Sequence, residues 1–156
     1  MKSSSRSRRR VAAIAVVAAA LPFAGMASAS ASTTLWGCTV TPLRPVFDHI
    51  NPANGNKVIR YNYTVTCAGG RTIEVNQHIH EQDGGLNADD HLASNVQSRT
   101  FATTGTVTMG WLLTMVTGEV GAEELYHTDS FRVTTTNLAQ SGWTAFEDSP
   151  VQAFSN

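Results

Sequence analysis

From residue 35 onward, hydrophobic and polar residues alternate with the period of two that is typical of β-strands. The clearest alternation lies in residues 58–67, where apolar side chains occupy every odd position from Ile59 to Cys67. The same pattern predicts further strands at residues 35–40, 71–80, 95–102, 106–117, 125–136 and 143–154. No segment has a sustained helical period, so this part of the chain is predicted to be all-β.

Turn-forming residues separate these segments and indicate how the strands connect. Prolines and an Asn-Gly pair in residues 42–55 predict a loop or an irregular edge. The tight Ala68-Gly69-Gly70 turn predicts a hairpin, which would make residues 58–67 and 71–80 antiparallel neighbours. About seven short strands in a chain of this size predict an immunoglobulin-like antiparallel β-sandwich with a single core.

Large apolar side chains should fill that core. Trp36 and Trp111 share the parity of the apolar residues around them, and Trp143 is expected to pack against an edge. If Trp143 were exposed, it would instead indicate a surface that binds sugar or protein. In residues 106–117 most apolar side chains occupy odd positions and should face the core. Leu112 and Val116 occupy even positions, so both faces of that strand should be covered.

The last quarter of the chain carries a resemblance to a known family. Residues 131–137, FRVTTTN, are followed by Ser141-Gly142-Trp143-Thr144. This arrangement is similar to the last two strands of a fibronectin type III domain, with Leu125 and Phe131 at the leucine and tyrosine of that family's tyrosine corner. The resemblance implies an immunoglobulin-like sandwich and implies no particular activity.

The N-terminal segment has the layout of a secretory signal. Five basic residues precede an apolar run over residues 11–26, and Ala27-Ser28-Ala29 forms an A-x-A cleavage site. We therefore expect a signal peptide over residues 1–29, cleaved near Ala29, and one secreted domain over residues 30–156. The basic run also resembles a twin-arginine signal, so either export route remains open. The apolar run is short and contains Pro22, so no stable membrane insertion is expected after cleavage.

Cleavage would change the charge of the protein. Residues 30–156 keep six Lys and Arg side chains against twelve Asp and Glu, a net charge of −6 with neutral histidines. Nucleic acids attract proteins with positive patches, so a nucleic-acid partner is not expected.

Both cysteines remain after cleavage and would enter an oxidising compartment. Cys38 and Cys67 each lie on the apolar parity of their own strand, so both should face the core. A disulfide between them is the predicted pairing.

The densest group of candidate ligands lies in residues 71–91. His78 and His80 are two apart on a predicted strand, so they project to the same face. Asp89 and His91 follow a polar loop and would supply a third ligand if the loop turned back. Imidazole nitrogen suits Zn(II) and Cu(II), so these four residues are candidate metal ligands. The alternative is that they only solvate the open face of the sheet.

The loop over residues 83–90 offers oxygen donors of the kind that Ca²⁺ prefers, although it lacks the ligand order of an EF-hand. An acidic surface turn without a metal is the alternative.

The function predicted from these patterns is binding. No G-x-S-x-G motif occurs and the cysteines are assigned to a disulfide, so catalysis is not expected. We predict a non-catalytic binding or surface module without a cofactor, whose partner is a protein or a cell-wall or other extracellular polymer. A metal-binding protein that uses His78 and His80 with residues 83–91 is one alternative. A secreted hydrolase or an enzyme inhibitor is another.

Overall fold

The computed structural model describes residues 31–82, 89–115 and 122–155, which form antiparallel β-strands and no helix. In chain order the strands are β1 (Thr33–Leu35), β2 (Cys38–Pro42), β3 (Val46–Ile50), β4 (Lys57–Cys67), β5 (Arg71–Glu81), β6 (Asp90–Phe101), β7 (Gly105–Thr114), β8 (Ala122–Thr135), β9 (Glu147–Asp148) and β10 (Gln152–Ser155). Six of the predicted strands correspond to β2, β4, β5, β6, β7 and β8, and β3 lies within residues 42–55, the predicted loop or irregular edge. The predicted last strand, residues 143–154, is not continuous and contains only the short β9 and β10. Within the described ranges, no helix is long and apolar enough to cross a membrane. The predicted signal peptide and its cleavage site at Ala29 lie outside those ranges.

The strands form two five-stranded antiparallel sheets. In the first sheet β4 is central: β7 pairs with one side of it, β2 and β3 share the other side, and β1 extends from β2. In the second sheet β5 lies between β6 and β8, and β9 and β10 pair with the far side of β8. The predicted all-β sandwich of two antiparallel sheets is confirmed.

Inward-facing side chains from both sheets fill the space between them. Every odd residue of β4 from Ile59 to Cys67 is buried, and so are Ile73, Val75 and Ile79 of β5. Burying an aliphatic or aromatic side chain of this size stabilises a fold by about 1.5–3 kcal/mol. The period of two in the sequence therefore identifies the core faces of these two strands correctly.

Cys38 and Cys67 form the predicted disulfide, which closes a sequence separation of 29 residues. The two cysteines stand directly opposite each other on β2 and β4, and neither is exposed. By the chain-entropy account, a loop of this length contributes about 3–4 kcal/mol to stability. A disulfide of this kind is consistent with an extracellular location.

The predicted pairing of β4 with β5 is wrong, because the turn over residues 68–70 connects the two sheets instead of closing a hairpin. β4 already has partners on both sides, and its buried face points across the core towards that of β5. The crossing is tight: Gly70 has a φ of +70°, and a Cβ at Gly69 would lie 3.1 Å from backbone atoms of Ala102 and Thr103. Glycine tolerates both conditions at little cost.

Two predictions about large apolar side chains are also wrong, whereas Trp111 packs against the core as expected. The predicted first strand is divided by a turn at Trp36 and Gly37, whose φ values are +48° and +77°, and this turn leaves Trp36 44% exposed. Leu112 is 43% exposed because it lies opposite Arg60 on the outer face of the first sheet. Val116, for which burial was also predicted, lies outside the described ranges.

The residues that resemble a fibronectin type III domain lie together at one edge of the second sheet. Leu125 and Phe131 are both buried within β8. Residues 141–146 follow the edge of the same strand, since the Ser141 and Thr144 amides donate to the carbonyls of Val133 and Phe131, each at 2.9 Å. The family resemblance stays a prediction.

Candidate functional site on the outer face of the second sheet

The outer face of the second sheet is turned away from the core and carries the polar side chains at the even-numbered positions of β5. His78 and His80 lie on this face because they alternate with buried Gln77 and Ile79. β6 lies on one side of β5 and β8 on the other, so the two histidines are near the middle of the sheet. Both imidazoles are partly buried by their neighbours.

A β-bulge in β6 brings His91 to the same face. Ile79 stands opposite Ala93, but the next residue, His80, stands opposite His91, so Leu92 is an extra residue in β6. An uninterrupted register would place Leu92 opposite His80 and turn His91 to the other face, because the side-chain period of a strand is two. Bulges are a common way to redirect a side chain near a functional site.

The three imidazole rings form a compact group, which we call the histidine cluster: His78, His80 and His91. The ring centres of His78 and His80 lie 5.2 Å and 5.4 Å from that of His91, and 6.3 Å from each other. His91 meets the other two rings nearly edge-on, at interplanar angles of 71° and 68°. The structure therefore brings together the three histidines that the sequence proposed as metal ligands.

Asp89, the fourth proposed ligand, joins the cluster indirectly. The Tyr126 hydroxyl donates a hydrogen bond of 2.6 Å to Asp89 Oδ2, and the Tyr126 ring stacks on His80 with centres 5.0 Å apart. On the other side, the Phe146 ring lies 4.6 Å from His78. Aromatic contacts thus flank the cluster on both sides and restrict the positions of two of its rings.

Partial burial and neighbouring charges shift the pKa values of these groups. Desolvation, and then the charge of His91, lower the pKa of His78. Desolvation, His91 and His78 also lower the pKa of His80, against the opposing effect of Asp89 and Asp148. Desolvation and the hydrogen bond to Asp89 raise the pKa of Tyr126, which keeps its phenol protonated as a donor. Both lowered pKa values favour the neutral imidazole, which carries a lone pair on one ring nitrogen.

The donor atoms of this face are not arranged as a preformed metal site. Across residues 31–82, 89–115 and 122–155, no group of three or more His, Cys, Asp and Glu side chains has a ready metal-binding arrangement. A shared ion would require rotation of the rings about their side-chain torsions. Of the proposed calcium-binding loop, residues 83–88 lie outside the described ranges, and Asp90 is exposed at the start of β6.

Trp143 extends this face towards the edge of the sheet. It lies at the edge of the sheet, as predicted, but it is 43% exposed, which is the alternative that indicates a binding surface. Its ring lies against Arg132 of β8, whose Cζ is 4.8 Å from the ring centre. Residues 141–146 are held at the edge of β8 by backbone bonds, and the indole there is partly open to solvent.

Two aromatic residues of this face, Tyr126 and Phe146, were not predicted as site residues. The sequence does indicate the direction of Tyr126. In this strand the apolar residues Leu125, Phe131 and Val133 occupy odd positions, whereas Tyr126 and Arg132 occupy even positions and should face outward. Phe146 was predicted to lie in a strand over residues 143–154, but residues 141–146 are irregular, so the alternation did not give the direction of its side chain.

A second polar cluster, the interior cluster, lies between the sheets and consists of Gln77, His127 and Asp129, each at most 1% exposed. His127 Nε2–H donates to the Leu43 carbonyl at 2.7 Å. The Gln77 amide donates to the Tyr61 carbonyl at 3.2 Å and to His127 Nδ1 at 3.0 Å. Sequence reasoning did not identify this cluster, although His127 shares the parity of the buried side chains of β8.

Asp129 completes the interior cluster and lies 3.3 Å from His127 Nδ1. The Gln77 bond makes that nitrogen an acceptor, so the contact to Asp129 is favourable only when a proton lies between the two atoms. Burial raises the pKa of Asp129, which opposes loss of that proton, and its Oδ2 has no hydrogen-bond partner. This network is enclosed and is not open to a ligand.

The chain matches no protein-family model, no curated protein and no solved structure.

Proposed function

We propose that the protein is an exported, non-catalytic binding module that attaches to a neutral extracellular or cell-wall polysaccharide through the outer face of its second sheet. The observation that carries the proposal is the exposure of Trp143 on that face, with Phe146 three residues further along and 45% exposed. A flat indole offers a large, rigid apolar surface at little entropic cost, and such surfaces bind the apolar faces of sugar rings.

Arg132, which lies against the indole, belongs to a network of polar side chains. Arg132 Nε donates to Glu74 Oε2 at 2.5 Å, and the Gln140 amide lies 3.4 Å from the same oxygen. Gln140 also lies 3.3 Å from the Thr134 hydroxyl. Donors and acceptors at the rim of an aromatic surface are suited to sugar hydroxyls, because each hydroxyl both donates and accepts.

Charge favours a neutral polymer over an anionic one. The guanidinium of Arg132 is paired with the carboxylate of Glu74, so this part of the face has no unpaired charge from either residue. The secreted domain as a whole carries a net charge of −6, which repels anionic polymers.

Depletion assays test the proposal. The tag-free domain over residues 30–156 is incubated with insoluble cellulose, chitin or β-1,3-glucan, three neutral polymers, and the protein left in solution is measured. We expect one of these polymers to retain it, and Trp143→Ala to weaken retention about tenfold or more, equivalent to about 1.4 kcal/mol, as for aromatic hot spots.

Trp36→Ala is the matched control, because Trp36 is 44% exposed but lies on the β1–β2 turn. This variant should be retained like the wild type. Failure of all three polymers to retain the protein would contradict the proposal, and so would equal losses in the two tryptophan variants.

A further inference from the structure

We propose that His78, His80 and His91 bind one divalent transition-metal ion, Zn(II) or Cu(II). The site is distinct from the indole of Trp143 and does not depend on polysaccharide binding. Its basis is the convergence of three imidazole rings from two strands on one face of the sheet.

The spacing of the rings fits a shared ion. An imidazole bound at about 2.0–2.1 Å has its ring centre roughly 3.2 Å from the metal, so two ligands at a tetrahedral angle have centres roughly 5 Å apart. His91 has ring-centre distances of 5.2 Å and 5.4 Å to the other two histidines. The His78–His80 distance of 6.3 Å exceeds that value by about one ångström, so a shared ion requires the side chain of His78 or His80 to rotate against its aromatic neighbour.

The bulge at Leu92 is what gives the cluster its third member. It interrupts the pairing of β5 with β6 between Ile79 and His80, immediately beside the cluster. The extra residue also turns Leu92 to a cavity of about 150 Å³ between the sheets, so its side chain still has apolar neighbours. The bulge thus places His91 beside His78 and His80 on the outer face of the sheet, whereas Leu92 lies on the face turned towards the first sheet.

The surroundings of the cluster restrict the rings without blocking them. Tyr126 stacks on His80 and is itself held by Asp89, while Phe146 lies against His78. Such contacts reduce the number of side-chain conformations that metal binding would have to exclude, although the donor nitrogens still have to turn towards the ion. His91 is exposed, and it is the ring that turns most readily towards the other two.

The donor set determines the class of ion. Three imidazoles suit zinc, copper and nickel, whereas Ca²⁺ and Mg²⁺ prefer oxygen ligands. Three protein ligands leave a fourth position for water or another exchangeable donor. Asp89 is engaged by the Tyr126 hydroxyl at 2.6 Å and supports the cluster from outside the ligand set.

Isothermal titration calorimetry with ZnCl₂ and with CuSO₄ tests the site, using the tag-free domain over residues 30–156. We expect one ion per protein, bound with micromolar or better affinity. His78→Ala, His80→Ala and His91→Ala should each weaken binding about tenfold or more, since even residues that only support metal ligands contribute 10–100-fold.

The matched control is His49→Ala. His49 is an exposed histidine of β3 in the first sheet, bonded to Asp48, so it has the same chemistry away from the cluster. This variant should bind metal like the wild type. The proposal would be overturned if titration with micromolar metal gave no more heat than dilution. It would also be overturned if His49→Ala lowered the metal affinity and His91→Ala did not.

Electron paramagnetic resonance of the Cu(II) complex gives a second readout, which counts the coordinating nitrogens directly. Coupling to three imidazole nitrogens is expected in the wild type, and to two in His91→Ala. Unchanged coupling in that variant would exclude His91 as a ligand. Trp143→Ala should bind metal normally, so this proposal and the polysaccharide proposal can fail independently.

Discussion

His80 and His127 occupy consecutive register positions of β5 and β8, yet they belong to opposite sides of the sheet. His80 stands opposite Tyr126 on the outer face, whereas His127 stands opposite Ile79 and points into the core. The ring of His127 is bonded at both nitrogens, to the Leu43 carbonyl and to the Gln77 amide. The rings of the histidine cluster contact one another and aromatic neighbours.

The difference shows that surroundings, and not residue type, determine what a histidine can do. A fully buried imidazole must have its nitrogens satisfied, because an unpaired buried polar group costs about 1–3 kcal/mol. Once both are satisfied, as in His127, none is left for a ligand. On the open face water can satisfy a ring nitrogen at little cost and can be displaced, so His78, His80 and His91 keep theirs available.

Removing the interior imidazole should have the largest effect on stability. His127→Ala leaves the Leu43 carbonyl and the Gln77 amide without their partner and creates a cavity in the core. We expect the free energy of unfolding to fall by about 3 kcal/mol or more, from the unpaired groups and the lost packing. Urea unfolding with the disulfide intact measures this loss.

A loss below about 1 kcal/mol for His127→Ala would show that the interior cluster does not hold the sheets together. His127→Leu then serves as the companion variant, because it refills most of the volume while it leaves the same polar groups unpaired. The comparison of the two variants separates the packing contribution from the hydrogen bonds.

Asp129 should make the stability of the fold depend on pH. Burial raises its pKa in the folded state above the value of about 3.9 in an unfolded chain. Below about pH 3.9 Asp129 is protonated in both the folded and the unfolded state, so its full contribution to the free energy of unfolding is present. As pH rises towards the folded pKa, only the unfolded chain loses its proton, so stability falls by up to about 1.4 kcal/mol per pH unit.

Asp129→Asn should remove this slope, since the amide does not titrate and can donate to His127 Nδ1. The measurement is the free energy of unfolding of both proteins from pH 4 to pH 8, taken as a difference so that other groups cancel. His127, Gln77 and Tyr63 surround the carboxyl and are unchanged in both proteins. Parallel curves would mean that Asp129 is already ionised in the folded state.

Parity predicts which side of a strand each residue faces, and here it was enough for much of the fold. It identified the buried faces of β4 and β5, the inward cysteines, and the outward direction of His78 and His80. It cannot distinguish a neighbouring strand from a facing one, because both bury the same parity. The pairing of β4 with β5 was wrong for that reason.

The local departures from parity were not predictable from the sequence. The bulge at Leu92 depends on how β6 pairs with β5, and no residue in residues 89–95 is a glycine or proline that would mark it. The turn at Trp36 places a large side chain at positive φ, where tertiary contacts override the preference of the residue. Both determine which aromatic and imidazole groups are exposed.

The smallest effect on stability should come from the histidine cluster itself. In the presence of EDTA, His91→Ala should change the free energy of unfolding by no more than about 0.5 kcal/mol, because its side chain is exposed. His80→Ala should cost up to about 1 kcal/mol, since it also loses the stacking contact with Tyr126. Urea unfolding under the conditions used for His127→Ala allows direct comparison. A cost above about 2 kcal/mol at either position would show that the outer histidines are structural like His127, and the distinction between the two clusters would no longer hold.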